Sequence, residues 1–194
     1  MTPRETFDKK VLDTISDLQV PMDGKVFYEG NTPAPVMIVG FQVGAEEAKP
    51  FTSVINQVVR GLLTNMRVGH DLVMLTNLFK APQPAAGKGV GLWVNFLFEE
   101  IKVVQPKAVI LLGLYTAKAV LNLPHSDVEN ARRIRYVWPG RTETNFFVTY
   151  PPELLAVAPP RVGLSAQGVG FVQDLKAVFE ADGQHFDRLV AVKG

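Results

Sequence analysis

Four short apolar runs, each ending at a turn and separated from the next by a helix-like segment, constrain the fold of this chain most. The runs cover residues 36–39, 72–76, 108–112 and 146–149. Apolar runs of this length, bounded by glycine, asparagine or proline, are typical of buried strands. Strands that alternate with helices form a mostly parallel sheet covered on both faces. We therefore predict an α/β fold, a three-layer α/β/α sandwich around a mostly parallel four-stranded central sheet.

The intervening segments carry apolar side chains at the spacing of amphipathic helices. They cover residues 6–18, 51–63, 92–104, 115–121 and 169–181, and the proline-containing stretch 81–91 is predicted to be a loop. The sequence has no internal repeat and no linker. A chain of 194 residues, 47% of them hydrophobic, is long enough to bury one core. We predict a single domain over residues 1–194.

Composition limits the chemistry that is open to this chain. The net charge is only +1, so a nucleic-acid surface must come from local clustering of basic side chains. There is no cysteine, which excludes disulfides, thiol nucleophiles and cysteine-ligated metals. The three histidines lie far apart, so we expect no metal and no cofactor. The first ten residues lack the apolar core of a signal peptide, and no apolar run could span a bilayer. We expect a cytoplasmic protein with no membrane partner.

The ends of the four predicted strands are where a ligand site is expected, because ligands of open parallel sheets bind at the carboxyl ends of the strands. These ends fall at residues 40–44, 77–84, 113–116 and 149–155. The first is a turn between Gly40 and Gly44, and the last is the prolyl turn that begins at Pro151.

Five short motifs follow one another in a fixed order along these strand ends. They are FYEGN with VMIVG at 27–40, KPF at 49–51, TNLFK at 76–80, FEEIKVVQPKAVILL at 98–112 and TYPPELL at 149–155. In that order they resemble the uracil-DNA glycosylase superfamily, and most of all its iron–sulfur, thermophile type. The resemblance covers roughly residues 26–180. It implies a uracil-DNA glycosylase-like fold and DNA as the partner.

The resemblance also implies roles at a site for an extruded base. Phe51 corresponds to an aromatic that stacks on the base, and Asn77 to an asparagine that reads the pyrimidine edge. Phe41 lies at the first turn, beside the base, and Gln42 is the remaining polar side chain there, a candidate to orient the attacking water. The alternatives are core packing for Phe51, capping of a turn for Asn77, and hydrogen bonding to the local backbone for Gln42.

Two of the family's catalytic positions are changed here. Phe41 stands in place of a glutamate and Pro151 in place of a histidine. Proline has neither a side-chain donor nor a backbone N–H. Losing one electrostatic donor of this kind costs about 10²–10³ in rate. The four cluster cysteines of the iron–sulfur type are also absent: Ala81 stands at one such position and Trp93 loosely matches another. Apolar packing is the expected replacement for the cluster.

A third set of residues is expected to contact the DNA. Leu154 and Leu155 follow the last strand and would wedge into a base stack, or else begin a buried helix. A basic run interleaved with Tyr136 and Trp138 would contact phosphates, or else form a solvated face. The predicted DNA-binding residues are Lys80, Arg132, Arg133, Arg135, Pro152, Leu154 and Leu155.

Three functions remain open from the sequence. The first is a divergent uracil-DNA glycosylase-like enzyme that binds DNA and hydrolyses the N-glycosidic bond of uracil or another modified base. The second is a catalytically inactive DNA-binding module on the same scaffold. The third is a protein-interaction module whose partner is a replication, repair or phage protein.

Overall fold

The computed structural model describes residues 1–17, 26–43, 49–53, 57–80, 89–155, 163–181, 184–186 and 188–192. Gly44, which closes the first predicted turn, and Ala81, at the start of the predicted loop, lie outside these residues. The helices described are α1 (Pro3–Asp17), α2 (Gln57–Asn65), α3 (Val90–Val104), α4 (Gly113–Leu121), α5 (Val128–Ala131) and α6 (Ala166–Phe179). Within the described part of the chain, no helix has the length and apolar character needed to cross a membrane.

The strands form one sheet in which the four predicted strands are the parallel centre. The strands are β1 (Tyr28–Gly30), β2 (Val36–Gln42), β3 (Val73–Phe79), β4 (Ala108–Leu112), β5 (Ile134–Trp138), β6 (Thr142–Thr149) and β7 (Arg188–Ala191). Their spatial order is β1-β3-β2-β4-β6-β5-β7. Strands β3, β2, β4 and β6 are mutually parallel. The predicted α/β class is confirmed.

The sheet is larger than the four strands predicted. β1 pairs antiparallel with β3 at one edge, and β5 pairs antiparallel with β6 toward the other, where β7 completes the sheet. The β5–β6 connection turns at Gly140, which has a φ of 78°. Glycine adopts this left-handed conformation without steric cost because it has no Cβ. Tyr136 and Trp138 alternate inward along β5 and are buried. The segment interpreted as an exposed basic patch is therefore an amphipathic strand.

Two apolar layers cover the sheet. On one face, α1, α3 and α4 pack over a core that includes Phe7, Leu97, Val120 and Val39. On the other face, α2 and α6 pack over a core that includes Ile38. The two cores contain alternate residues of the same strands, as the two-residue period of a strand requires. This arrangement leaves the carboxyl ends of β3, β2, β4 and β6 side by side at one edge of the molecule.

Candidate active site

We refer to the edge formed by the carboxyl ends of β3, β2, β4 and β6 as the carboxyl edge. Gly40, near the end of β2, lies in the middle of this edge. The strand register places it directly beside Asn77 of β3. A Cβ built on Gly40 would overlap Asn77 Oδ1 and come within 2.9 Å of Phe51 Cζ. Only glycine therefore allows these two side chains to meet at the end of β2. We refer to Gly40, Phe51 and Asn77 as the cradle.

Asn77 has an unusual environment for an amide. The residue is only 2% exposed, and its Nδ2 is buried without a hydrogen-bond partner among the described residues. An unsatisfied buried donor costs about 1–3 kcal/mol. Such groups are rare in folded proteins and require an explanation such as a ligand. The amide presents a donor and an acceptor, which matches the edge of a pyrimidine.

Phe51 fills the space beside Asn77. Its side chain is 1% exposed, and the residue belongs to the core beneath α2 and α6. Its φ of 59° is a left-handed conformation that non-glycine residues rarely adopt. The guanidinium of Arg60 donates to the Phe51 carbonyl over 2.9 Å and helps to hold this turn. Phe51 thus packs in the core, the alternative considered for it, while the edge of its ring lies against Gly40.

Phe41 and Gln42 follow Gly40 at the end of β2, and both are exposed. Phe41 points to the opposite face from Gly40. Its ring makes a T-shaped contact with Phe79 at 5.1 Å and a tilted contact with Tyr115 at 6.1 Å. Gln42 comes two residues after Gly40, so its side chain lies on the same side of β2 as the cradle. Its amide makes no hydrogen bond to a described residue, so the local backbone bond considered as an alternative is not seen within that part of the chain.

Pro151, in the turn after β6, offers no proton donor. Pro151 packs on Gly113, where an added Cβ would lie 2.9 Å from Pro151 Cβ. The 3₁₀ turn Pro152–Leu154 follows. Leu154 is 47% exposed, whereas Pro152 is buried and Leu155 is 0% exposed within the core. The predicted DNA contacts of Pro152 and Leu155 are therefore wrong. Leu154 remains available at the surface.

Lys80 is also misassigned as a phosphate contact. Its side chain is fully buried and forms an ion pair with Glu100 of α3 and a hydrogen bond to Thr76 Oγ1. Glu100 in turn accepts from Arg4 Nη2 at 3.0 Å and from Thr76 Oγ1 at 3.2 Å. Burial lowers the pKa of Lys80, and the carboxylate of Glu100 opposes that effect. Lys80 ties β3 to α3 and cannot reach DNA in this structure.

Arg132 has a structural role instead of a surface one. It is 8% exposed and makes a bidentate contact with Asp174 of α6 at 2.9 and 3.1 Å. Asp174 also accepts from Thr149 Oγ1 at 2.6 Å and lies 2.8 Å from His185 Nε2. Burial opposes the charge on Arg132, but Asp174 outweighs it and raises the pKa of the guanidinium. The predicted phosphate contact of Arg132 is therefore wrong.

Arg133 and Arg135 of the same run are exposed. Arg133 immediately precedes β5, whose beginning lies beside the end of β6 because the two strands are antiparallel. Arg135 lines a cavity of about 660 Å³ with residues such as Val36 and Ala108, which begin β2 and β4. This cavity is at the amino ends of the parallel strands. It lies away from the cradle, and we do not assign the candidate site to it.

A family model described as "Uracil DNA glycosylase superfamily" matches residues 27–176. This chain belongs to that superfamily. A Type-4 uracil-DNA glycosylase of Pyrobaculum aerophilum is 28% identical over 135 residues, which cover 64% of this chain and 69% of that relative. The family inferred from five ordered motifs is confirmed.

The residues of this superfamily member do not fit the iron–sulfur cluster of the type it most resembles. Such clusters are held by cysteine thiolates, and the chain has no cysteine. Trp93, the loose match to one ligand position, is 1% exposed and contacts Phe79 and Phe96 with ring centroids at 6.3 and 5.8 Å. Aromatic packing thus occupies this region. In the described ranges, no group of histidine and carboxylate side chains could hold a metal ion either.

Sequence reasoning missed two carboxylates that organise the interior, Glu100 and Asp174. Each lies on the apolar face of a helix, three residues after a buried apolar side chain: Leu97 in one case and Phe171 in the other. A lone carboxylate on such a face is almost never buried without a partner. That pattern is a signal that a buried cation lies opposite.

Proposed function

We propose that this protein holds a pyrimidine base, extruded from DNA, at the cradle and hydrolyses its N-glycosidic bond slowly. The buried Nδ2 of Asn77, which has no hydrogen-bond partner in the described part of the chain, supports the proposal. A uracil carbonyl would accept from that nitrogen, while Oδ1 would accept the neighbouring ring N–H. Membership of the superfamily makes DNA the expected source of the base.

Entry of a base requires Phe51 to move. In the structure the edge of the Phe51 ring occupies the space next to Gly40. A planar base held by Asn77 would need that same space. A flipped base would replace that contact by stacking on the displaced ring, which would keep the apolar surface covered. The left-handed φ of Phe51 marks a strained turn, and such strain is concentrated at ligand clamps.

Slow hydrolysis follows from the side chains at the strand ends. In the reaction, the water oxygen bonds to C1′ of the deoxyribose, and the bond from C1′ to the base nitrogen breaks with its electron pair going to the base. The proton of the water ends on the departing base. The Gln42 amide would orient that water, but it does not titrate and so is no general base. Phe41 and Pro151 add no donor or carboxylate.

The test measures abasic sites directly. A uracil-containing oligonucleotide, single- or double-stranded, is incubated with stoichiometric protein and then cleaved with alkali. We expect slow strand cleavage, a loss of about 10²–10³ in rate for Asn77→Ala and a smaller loss for Gln42→Ala. Asn65→Ala, at an exposed asparagine on α2, is the matched control and keeps the wild-type rate.

The paired substitutions at Phe41 and Pro151 favour one second candidate, a DNA-binding module without catalysis. It predicts binding of uracil-containing DNA that weakens steeply with salt, and no abasic sites at any protein concentration. Any cleavage by the wild type would refute this second candidate, and cleavage that survives Asn77→Ala unchanged would refute the role of the cradle in hydrolysis.

A further inference from the structure

Two aromatic side chains are left exposed at the carboxyl edge, next to the cradle. Tyr115, in the first turn of α4, is 80% exposed, and Phe41 is 41% exposed. Their ring centroids lie 6.1 Å apart. Phe41 also makes a T-shaped contact with buried Phe79. The pair is therefore a fixed ring with a second ring projecting beside it into solvent.

Burial in this chain does not explain the position of Tyr115. Its ring gains little from packing, and its hydroxyl has no hydrogen-bond partner within the described ranges. Exposed aromatic surface with a polar tip is enriched where proteins contact a partner. Lys118 is also exposed and follows Tyr115 by three residues, so both lie on one face of α4. No carboxylate of the described residues forms an ion pair with Lys118.

An exposed ring and an exposed ammonium on the same face of a helix match one nucleotide of a single strand. The ring offers a stacking surface for a base of any sequence, and the ammonium offers a contact for its phosphate. The position of this pair of rings also fits a neighbouring nucleotide. Gly40 and Phe41 are consecutive in β2 and lie on opposite sides of its end, so a DNA strand that crosses this edge with one base in the cradle would bring the next nucleotide to the side of Phe41.

We propose that Phe41 and Tyr115 form a stacking platform for the nucleotide adjacent to the extruded base, with Lys118 contacting its phosphate. This inference rests on the proposed function for the position of the neighbouring base. The platform itself recognises an unpaired base and a phosphate, independent of any bond cleavage.

Binding of a fluorescein-labelled, uracil-free single strand, followed by anisotropy over a salt series, tests the platform. Tyr115→Ala is expected to raise Kd by about 5- to 150-fold, the range for one base–aromatic stack. Tyr115→Phe, which keeps the ring, is expected to bind as tightly as wild type. Lys118→Ala is expected to reduce the salt slope by about one unit. Leu189→Ala, at an exposed leucine on β7, is the control and leaves Kd unchanged. Wild-type Kd in Tyr115→Ala, confirmed as folded by its urea midpoint, would overturn the proposal.

A second arm separates this inference from the proposed function. Oligonucleotides carrying one uracil have the base on its 5′ or 3′ side replaced by an abasic spacer. With one of the two spacers, Tyr115→Ala and wild type are expected to bind equally, because the stacked base is gone. If the wild type never yields abasic sites but Tyr115→Ala still weakens binding, the platform stands and the proposed hydrolysis fails. If the wild type excises uracil and Tyr115→Ala binds normally, only the platform fails.

Discussion

Replacing Lys80 with methionine tests whether this residue supports the interior or contacts DNA. Its side chain is fully buried against Glu100, so the change leaves a buried carboxylate with fewer partners. Breaking a buried ion pair from one side costs about 3–5 kcal/mol. Arg4 at 3.0 Å and Thr76 at 3.2 Å still reach Glu100 in the variant. We therefore expect the lower end, a loss of about 3 kcal/mol in the free energy of unfolding.

Urea denaturation followed by circular dichroism measures this loss. With a slope of about 2 kcal/mol per molar, the midpoint of Lys80→Met falls by about 1.5 M. Lys107→Met, at an exposed lysine, is the control and leaves the midpoint within about 0.3 M of wild type.

A double variant makes the reasoning sharper. Lys80→Met combined with Glu100→Met replaces both charges with apolar side chains, an exchange that is often neutral for a buried pair. Arg4 keeps an ion pair with Asp8 at 3.1 Å in that background. We expect the double variant to be at least as stable as Lys80→Met alone. A midpoint unchanged in Lys80→Met, together with a salt slope of DNA binding reduced by one unit, would show that Lys80 is a phosphate contact and refute the buried pair.

Three further changes test other parts of the structure. Leu155→Ala should lower the free energy of unfolding by about 2–5 kcal/mol, because Leu155 is buried. Leu154→Ala, at the exposed neighbour, should leave the free energy of unfolding within about 0.5 kcal/mol of wild type. Equal urea midpoints for the two variants would contradict the assigned burial. Gly40→Ala should cost about 1–3 kcal/mol and abolish uracil binding in a titration, because the added methyl overlaps the cradle side chains. Hydrogen bonds from Arg60 lower the pKa of Glu29 to about 2, so the stabilising effect of the Glu29 carboxylate is full above about pH 4.5 and is lost as the pH falls toward 2. The urea midpoint of Glu29→Gln should therefore approach that of wild type as the pH falls through this window. A constant difference between the two proteins would count against the ion pair.

The sequence determined the framework of this protein. Apolar runs bounded by turns predicted the four parallel strands, because a strand buried on both faces needs a continuous apolar run. The order of the strand-end motifs predicted the superfamily. The position of Asn77 immediately after an apolar run also predicted a side chain at the ligand edge, since all parallel strands end at one edge. These are local signals, readable within a few residues.

The remaining strands were missed because their local signals are weak or ambiguous. β1 has three residues and β7 has four, and both lie at the edges of the sheet. β5 follows Arg132 and Arg133 directly and contains Arg135, so the segment resembles a basic patch until the sheet shows that one side of the strand faces the core.

Only the tertiary structure decided the fate of the charged and apolar side chains near the site. Lys80 is buried because Glu100, 20 residues away, meets it across the β3–α3 contact, and Arg132 because Asp174 lies opposite, 42 residues away. Leu154 and Leu155 are adjacent and chemically identical, yet one is exposed and the other belongs to the core. A charge can be buried only where folding brings it a partner, and a leucine only where folding leaves a space. Both conditions depend on distant parts of the chain, which no local pattern contains.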